Sequence, residues 1–215
     1  VRHPIKKHPQ KIALDKKASL VIKANSTARS LSKKIQQVQV IYRDGIRKIA
    51  IANSSGALAE DKQMRILFYV QVVARKDDVL QTGYEHIGGV MGLELFDQNP
   101  PESTAEIAAK RALLMLGARK APGGTMPVVL SSEAGGTMIH EAIGHGLEAD
   151  HVQEGCSVYA GRIGAEVSSP LITVIDDPTL KNRRGSFSFD DEGSPAQRTV
   201  LVEKGILKGY LYDLL

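Results

Sequence analysis

The chain has 215 residues, 42% of them hydrophobic and 24% charged, and a length at which about 70% of the unfolded surface can be buried. These values exclude a wholly disordered chain, a collagen and a coiled coil. No run of about 18 apolar residues exists, so no membrane-spanning helix is expected. A single cysteine, Cys156, excludes an internal disulfide and suits a reducing cytoplasm.

The formal net charge of +4 is unevenly spread, since residues 1–50 hold 13 basic residues against Asp15 and Asp44. A basic segment can mark a nucleic-acid partner or a surface that meets an acidic neighbour. Aromatics are sparse there and no nucleic-acid motif occurs, so nucleic acid is not the expected partner. The chain lacks an initiator Met and stops in an apolar stretch, Gly209–Leu215. It reads as a piece of a longer protein, without a signal peptide.

Residues 1–12 mix Lys, His and Pro and read as an arm. Leu14, Ala18, Leu20, Val21, Ala24, Ala28 and Leu31 recur at helical spacing and predict a basic amphipathic helix over 14–33. Residues 37–42 alternate, Asp44-Gly45 follows, and residues 46–52 resume the pattern. This predicts a hairpin with a type I′ turn at Asp44-Gly45. A second turn is expected at Asn53–Gly56, a third strand over 65–74 and a fourth over 79–86. The Gly- and Pro-rich residues 83–101 read as a loop. Ser103 and Glu106 fit a capping box for an alanine-rich helix ending near Gly117. Met126–Ser131 reads as a short strand. Beyond residue 150 the chain is loop-rich, with a strand over 171–175 and a hairpin turning at Glu203–Gly205. The expected fold class is α+β with mostly antiparallel pairing. The expected division is 1–118, an N-terminal α+β domain, and 119–215, the start of a catalytic part.

The segment Thr137–Glu148 carries the chemistry. Met138, Ile139, Ala142, Ile143 and Leu147 form a helical apolar pattern interrupted by His140, Glu141 and His145. In zinc peptidases with His-Glu-x-x-His, the histidines lie one turn apart. Here they are five residues apart, about 140° past a full turn of regular helix. Two solutions bring the rings together: a π-bulge, or a helix ending at Gly144. Two neutral imidazoles and a third protein ligand would hold zinc, which makes a bound water acidic. Glu141 stands where it can take that proton and pass it to the leaving amine. The plainer reading of such a string is a pair of structural or exposed histidines. Cys156 and His151 are weaker ligand candidates, and each also reads as an ordinary packing or surface residue.

Asp176-Asp177 and Asp190-Asp191-Glu192 flank Arg183-Arg184 in loops. They could orient metal-bound histidines, bind a substrate backbone or hold a structural ion, or form an ion-paired loop network. Gly135-Gly136 could let backbone approach a substrate at a helix N-terminus, or serve a tight strand-to-helix turn.

Residues 118–213 resemble the TldD/PmbA family of metallopeptidases, once described as modulators of DNA gyrase. The resemblance rests on Ala121–Leu130, Ile139–Asp150, Gly161–Gly164, Val174–Asp177, Arg183–Ser186, Asp190–Pro195, Gln197–Glu203 and Gly209-Tyr210. Residues 14–117 fit the family's upstream region by pattern. The complete His-Glu-x-x-x-His string resembles the TldD branch, since PmbA-type (TldE) members lack it. The resemblance implies zinc held by His140 and His145, Glu141 as acid/base, and unfolded or modified peptides as substrates. It also implies a homo- or hetero-oligomer with a PmbA/TldE-type subunit. The family's third ligand is a cysteine beyond the end of this chain. The alternative function is a non-catalytic subunit that binds peptides or a DNA-associated protein.

Overall fold

From Met64 to Ala74 every second residue is buried: Met64, Ile66, Phe68, Val70, Val72 and Ala74. That period of two requires a strand with one covered face. The computed structural model describes residues 4–214, apart from the side chain of Glu133. The first three residues of the arm expected over 1–12 lie outside the described residues. The alternating segment belongs to β2 (Leu58–Lys76), the centre of an antiparallel sheet with β1 (Ile35–Ala52) and β3 (Val79–Val90), in the order β1-β2-β3. The described chain divides into two compact units, one of residues up to 52, 56–121 and 180–186, the other of 53–55, 122–179 and 187 onward.

In the first unit, α1 (Leu14–Ser30) and α3 (Pro101–Met115) cover the apolar face of the sheet. α1 presents Ala24 and Ala28 and α3 presents Ala105, Ala108, Ala109 and Ala112, all fully buried against Phe68, Val70 and Val72. The alanine faces bring helix backbone close to the sheet. Burying Phe68 and its valine neighbours contributes about 1.5–3 kcal/mol each. At Gly83 the approach is closest, because a Cβ there would lie 2.2 Å from the Ala108 carbonyl oxygen and 2.4 Å from the Ala112 nitrogen.

The fold is mixed α and β with antiparallel sheets, as the sequence pattern predicts, but several elements differ from it. Asp44-Gly45 is not a turn: β1 runs straight through it, with Asp44 opposite Ile66 and Gly45 opposite Arg65. Asp44 accepts an ion pair from Lys17 of α1 at 2.7 Å. The carboxylate is thus engaged on the helix-covered face and is not bonding its own backbone as in a turn. The sheet therefore has three long strands, not four shorter ones. The two turns are Asn53–Ala57, with Gly56 at φ 86°, and the two-residue link Asp77-Asp78, with Asp77 at φ 52°. β3 continues to Val90, inside the stretch read as loop, and the short α2 (Leu95–Gln98) follows. α3 starts at Pro101, so Ser103 lies in its first turn and makes no cap. Proline at the first position has no N–H to leave unsatisfied.

Basic residues of the first 50 meet acidic neighbours. Besides Lys17, Lys7 pairs with Asp97, and Lys23 lies 3.8 Å from Glu102. The arm is also tied down through its backbone. The Lys7 N–H donates to Glu94 Oε2 at 2.8 Å, and the N–H groups of Lys6 and Gly92 donate to Oε1 at 3.3 and 3.1 Å.

The second unit is built on the hairpin of β5 (Thr199–Glu203) and β6 (Ile206–Leu207), with β4 (Val174–Asp176) on the other side of β5. Lys204 and Gly205 both have positive φ, 47° and 86°, as a type I′ turn requires. The strand expected over 171–175 is thus displaced to 174–176. Met126–Ser131 forms no strand: Val128 and Val129 are exposed and, among the described residues, no neighbouring strand pairs with this segment. Among the described residues no helix is long and apolar enough to cross a membrane.

Two tests follow from the first unit. Gly83→Ala drives a Cβ into helix backbone that cannot swing aside, and should destabilise by about 3 kcal/mol in urea unfolding. Glu94 is the second. Burial acts to raise its carboxyl, yet the backbone N–H groups of Gly92, Lys7, Glu94 and Lys6 outweigh it and hold it below its ordinary 4.5. Its contribution is therefore fully present above that value and is lost as pH falls through the lowered one. Hydrogen exchange at the Lys7 and Gly92 amides should accelerate, relative to intrinsic rates, as pH is taken below about 4; protection that persists would deny the anchor.

Candidate metal centre

The second unit holds the helical segment that the sequence singles out. α4 (Ser132–Ile139) is followed by a π-helical turn, His140–Gly144, and then by one 3₁₀ turn, His145–Leu147. The His145 N–H bonds to the His140 carbonyl, five residues back. Widening the turn by one residue cancels the overshoot of a five-residue spacing. The two imidazoles consequently face each other edge to face, with centroids 4.5 Å apart.

Gly144 is not what permits the turn. Its backbone is right-handed helical, φ −54° and ψ −60°, and a Cβ there would make an ordinary 3.6 Å contact with His140 Nδ1. The glycine that the packing does require is Gly146. A Cβ on Gly146 would lie 2.9 and 3.0 Å from carbons of the Tyr159 ring. Tyr159 is itself held, because its carbonyl accepts the Tyr210 hydroxyl at 2.7 Å and its own hydroxyl donates to the Ala142 carbonyl at 3.4 Å. The Ser157 hydroxyl donates to the Gly146 carbonyl.

The end of the helical segment is fixed as firmly. Leu147 is fully buried with Leu201, Val202 and Leu207, and Ile143 packs against the same cluster. The Leu211 N–H donates to the Leu147 carbonyl at 2.7 Å, and the Ala149 N–H to the Leu211 carbonyl at 2.8 Å. α5 (Ala149–Gln153) follows. The histidines thus project to solvent from a segment anchored through its other face.

One donor atom from each of His140, Glu141 and His145 lies within 4.8 Å of the others, and all three residues are exposed. Two imidazole nitrogens that close, beside a carboxylate, form a donor set that fits zinc. His145 Nδ1 lies 2.8 Å from Glu148 Oε1, and Nε2 lies 3.8 Å from Glu141 Oε2. Glu148, Asp150 and His151 form a second close group, in which Glu148 Oε2 is 3.3 Å from His151 Nε2. The sequence reading passed over Glu148. Its signal was there in the three-residue spacing from His145, which places two side chains on one helix face.

The other candidates have different settings. Gly135 and Gly136 lie inside α4 and form no strand-to-helix turn; the helix begins at Ser132, earlier than the glycines suggested. Arg183 and Arg184 belong to the first unit, where Arg184 lines a cavity of about 300 Å³ with Leu67, His86 and Gly88. Asp190 and Asp191 belong to the second unit. Asp190 Oδ1 accepts the N–H groups of Glu192 and Ser194, both at 2.9 Å, and so shapes its own turn. Asp177 accepts the hydroxyl and N–H of Thr179, which hold its carboxyl below the ordinary range, while burial and then the charge of Asp177 push Asp176 up. Cys156 is exposed, its thiol 3.9 Å from the Glu154 carbonyl, and stands in neither group of metal-capable side chains.

The packing at Gly146 can be tested against its neighbour. Gly146→Ala should destabilise by about 1–3 kcal/mol through the Tyr159 ring, whereas Gly144→Ala should be neutral or slightly stabilising. Equal effects in urea unfolding would contradict the assigned packing.

Residues 7–116 match the family profile described as the PmbA/TldA metallopeptidase central domain, and residues 123–215 match the C-terminal domain of that family. A protein named metalloprotease TldD homolog from Buchnera aphidicola of Acyrthosiphon pisum is 39% identical over 93% of this chain and 43% of its own length. The one from Haemophilus influenzae is 35% identical over 95% of this chain and 43% of its own length. The chain thus spans less than half the length of these relatives. A crystal structure described as a DNA gyrase modulator, from Thermotoga maritima, superposes with a TM-score of 0.86 at 25% identity, over 100% of this chain and 49% of that one. The TldE structure from Thermococcus kodakarensis shares the fold, with a TM-score of 0.70 at 19% identity over 99% of this chain and 48% of that one. With both its units matched in turn, the chain belongs to the PmbA/TldD metallopeptidase family.

Proposed function

We propose that this chain carries the metal-binding helix of a TldD-type zinc peptidase, with His140 and His145 as two of the metal ligands and Glu141 as general acid/base. The observation that carries the reading is the π-helical turn, which brings the two imidazoles to 4.5 Å with Glu141 beside them. Such turns are rare in helices and recur at functional sites.

When bound, zinc would supply a more acidic water and a Lewis acid for the scissile carbonyl. The chain's own residues do the rest. The anchored segment holds the two rings in place, and His140 and His145 present neutral nitrogens. The Glu141 carboxylate is exposed to solvent on the same face. It accepts the proton of the attacking water and delivers it to the departing amine, so that the acid and base steps share one group.

A catalytic zinc site takes three protein ligands. The family resemblance implies that the third is a cysteine outside this chain, and Cys156 stands in neither group of metal-capable side chains. We further propose peptides, unfolded or modified, as substrates, and assembly with a PmbA/TldE-type subunit. Residues 1–118 then serve as an α+β domain and 119–215 begin the catalytic part. The TldE neighbour supports the assembly by likeness of fold.

Glu141→Gln keeps the shape of the side chain and removes its basicity. In the full-length protein it should lower peptide cleavage by at least 100-fold, in line with loss of a general base, while zinc content per chain stays unchanged. Full activity in the variant would remove Glu141 from the reaction. Removal of zinc by a chelator should abolish cleavage, and added zinc should restore it.

A further inference from the structure

We infer that Glu148 is a positioning residue for the metal site: it holds His145 with the proton on Nδ1, leaving Nε2 bare for a divalent metal. The inference rests on the metallopeptidase reading and goes beyond it, to a residue outside the His-Glu-x-x-x-His string.

A neutral imidazole carries its proton on one nitrogen and a lone pair on the other, and the partner of the first decides which is which. In His145 the two nitrogens have unlike surroundings. Nδ1 is 2.8 Å from Glu148 Oε1, within hydrogen-bond distance. Nε2 is 3.8 Å from Glu141 Oε2, beyond it, and His145 is grouped with His140 and Glu141 as a set of metal-capable side chains. An ionised carboxylate only accepts hydrogen bonds. The contact therefore requires the proton on Nδ1 and leaves the lone pair on Nε2, the nitrogen 3.8 Å from Glu141 Oε2. A carboxylate behind a ligating histidine fixes its tautomer and ring orientation and raises its basicity as a ligand.

The position of Glu148 suits that role. It stands where the 3₁₀ turn ends, with extended backbone at φ −67° and ψ 128°. Its two neighbours, Leu147 and Ala149, are both buried and both bonded to Leu211. The backbone that carries the carboxylate is therefore pinned on each side, and the side chain is left half-buried. The second oxygen is 3.3 Å from His151 Nε2. That approach is longer than the 2.8 Å hydrogen bond to His145. One carboxylate links two histidines, and only His145 of the two shares a donor group with His140.

The test uses the full-length protein and zinc alone as the probe. In metal-free protein at about pH 8, where an unperturbed imidazole is neutral, long-range proton–nitrogen spectra should show His145 as the Nδ1–H tautomer. In Glu148→Ala that signal should shift toward Nε2–H. Zinc affinity, read by competition with a chelator, should fall 10–100-fold in Glu148→Ala, less in Glu148→Gln, which keeps an acceptor, and hardly in His151→Ala. The melting temperature of the metal-free variants should stay within a few degrees of the unaltered protein, which separates positioning from loss of fold. An Nε2–H tautomer in the unaltered protein, or zinc affinity in Glu148→Ala within twofold of the unaltered value, would overturn the inference and leave the metallopeptidase reading standing. Affinity lost only in step with melting temperature would also overturn it. Zinc binding that survives replacement of both His140 and His145 would overturn the metallopeptidase reading, and this inference with it.

Discussion

The candidate site depends on one hydrogen bond, from the His145 N–H to the His140 carbonyl. In a regular α-helix that N–H would reach Glu141, and His145 would point about 140° away from His140. Moving the acceptor back by one residue turns both rings to the same side. The deformation is held by its surroundings. Ile143 and Leu147 sink into the cluster around Val202 and Leu207, Tyr159 lies over Gly146, and Leu211 bonds the chain on either side of Glu148. His140, Glu141 and His145 remain exposed. The segment is therefore held by the core while its metal-capable side chains stay open to solvent.

The first unit follows a different rule. Its helices present alanine, and small side chains let helix backbone lie close to the sheet. The gain is dense contact between long elements; the cost is intolerance of added volume, as at Gly83. Ion pairs such as Lys17–Asp44 let a charged helix cover an apolar sheet.

Much was legible where the signal is local. The strand over 65–74 and the alanine-rich helix ending near Gly117 were legible from sequence alone. The hairpin of β5 and β6 was legible because Gly205 adopts the positive φ of its turn at no steric cost. The π-turn was legible as one of two solutions to a spacing problem, since five residues do not fit a 3.6-residue turn. Asp44-Gly45 misled for the same kind of reason. The dipeptide favours a turn, but Asp44 is claimed by Lys17, 27 residues away in sequence, and by the ladder with β2. Met126–Ser131 has strand composition but, among the described residues, no neighbouring strand to pair with. Composition alone does not supply a partner for backbone donors.

The sequence by itself determined the chemistry on offer: two imidazoles and a carboxylate at a spacing that a regular helix cannot serve, in a chain with family motifs on both sides. Tertiary structure decided the rest. It chose the π-turn over a helix ending at Gly144, assigned the steric constraint to Gly146, and placed Glu148 behind His145. It also put Arg183 and Arg184 in one unit and Asp190 and Asp191 in the other. The physical reason is range. Spacing and backbone preference act over a few residues and are written in the string. The Tyr159 ring, the Leu211 backbone and the β5–β6 core reach the helix from positions 13 to 64 residues further along the chain, and only folding brings them there.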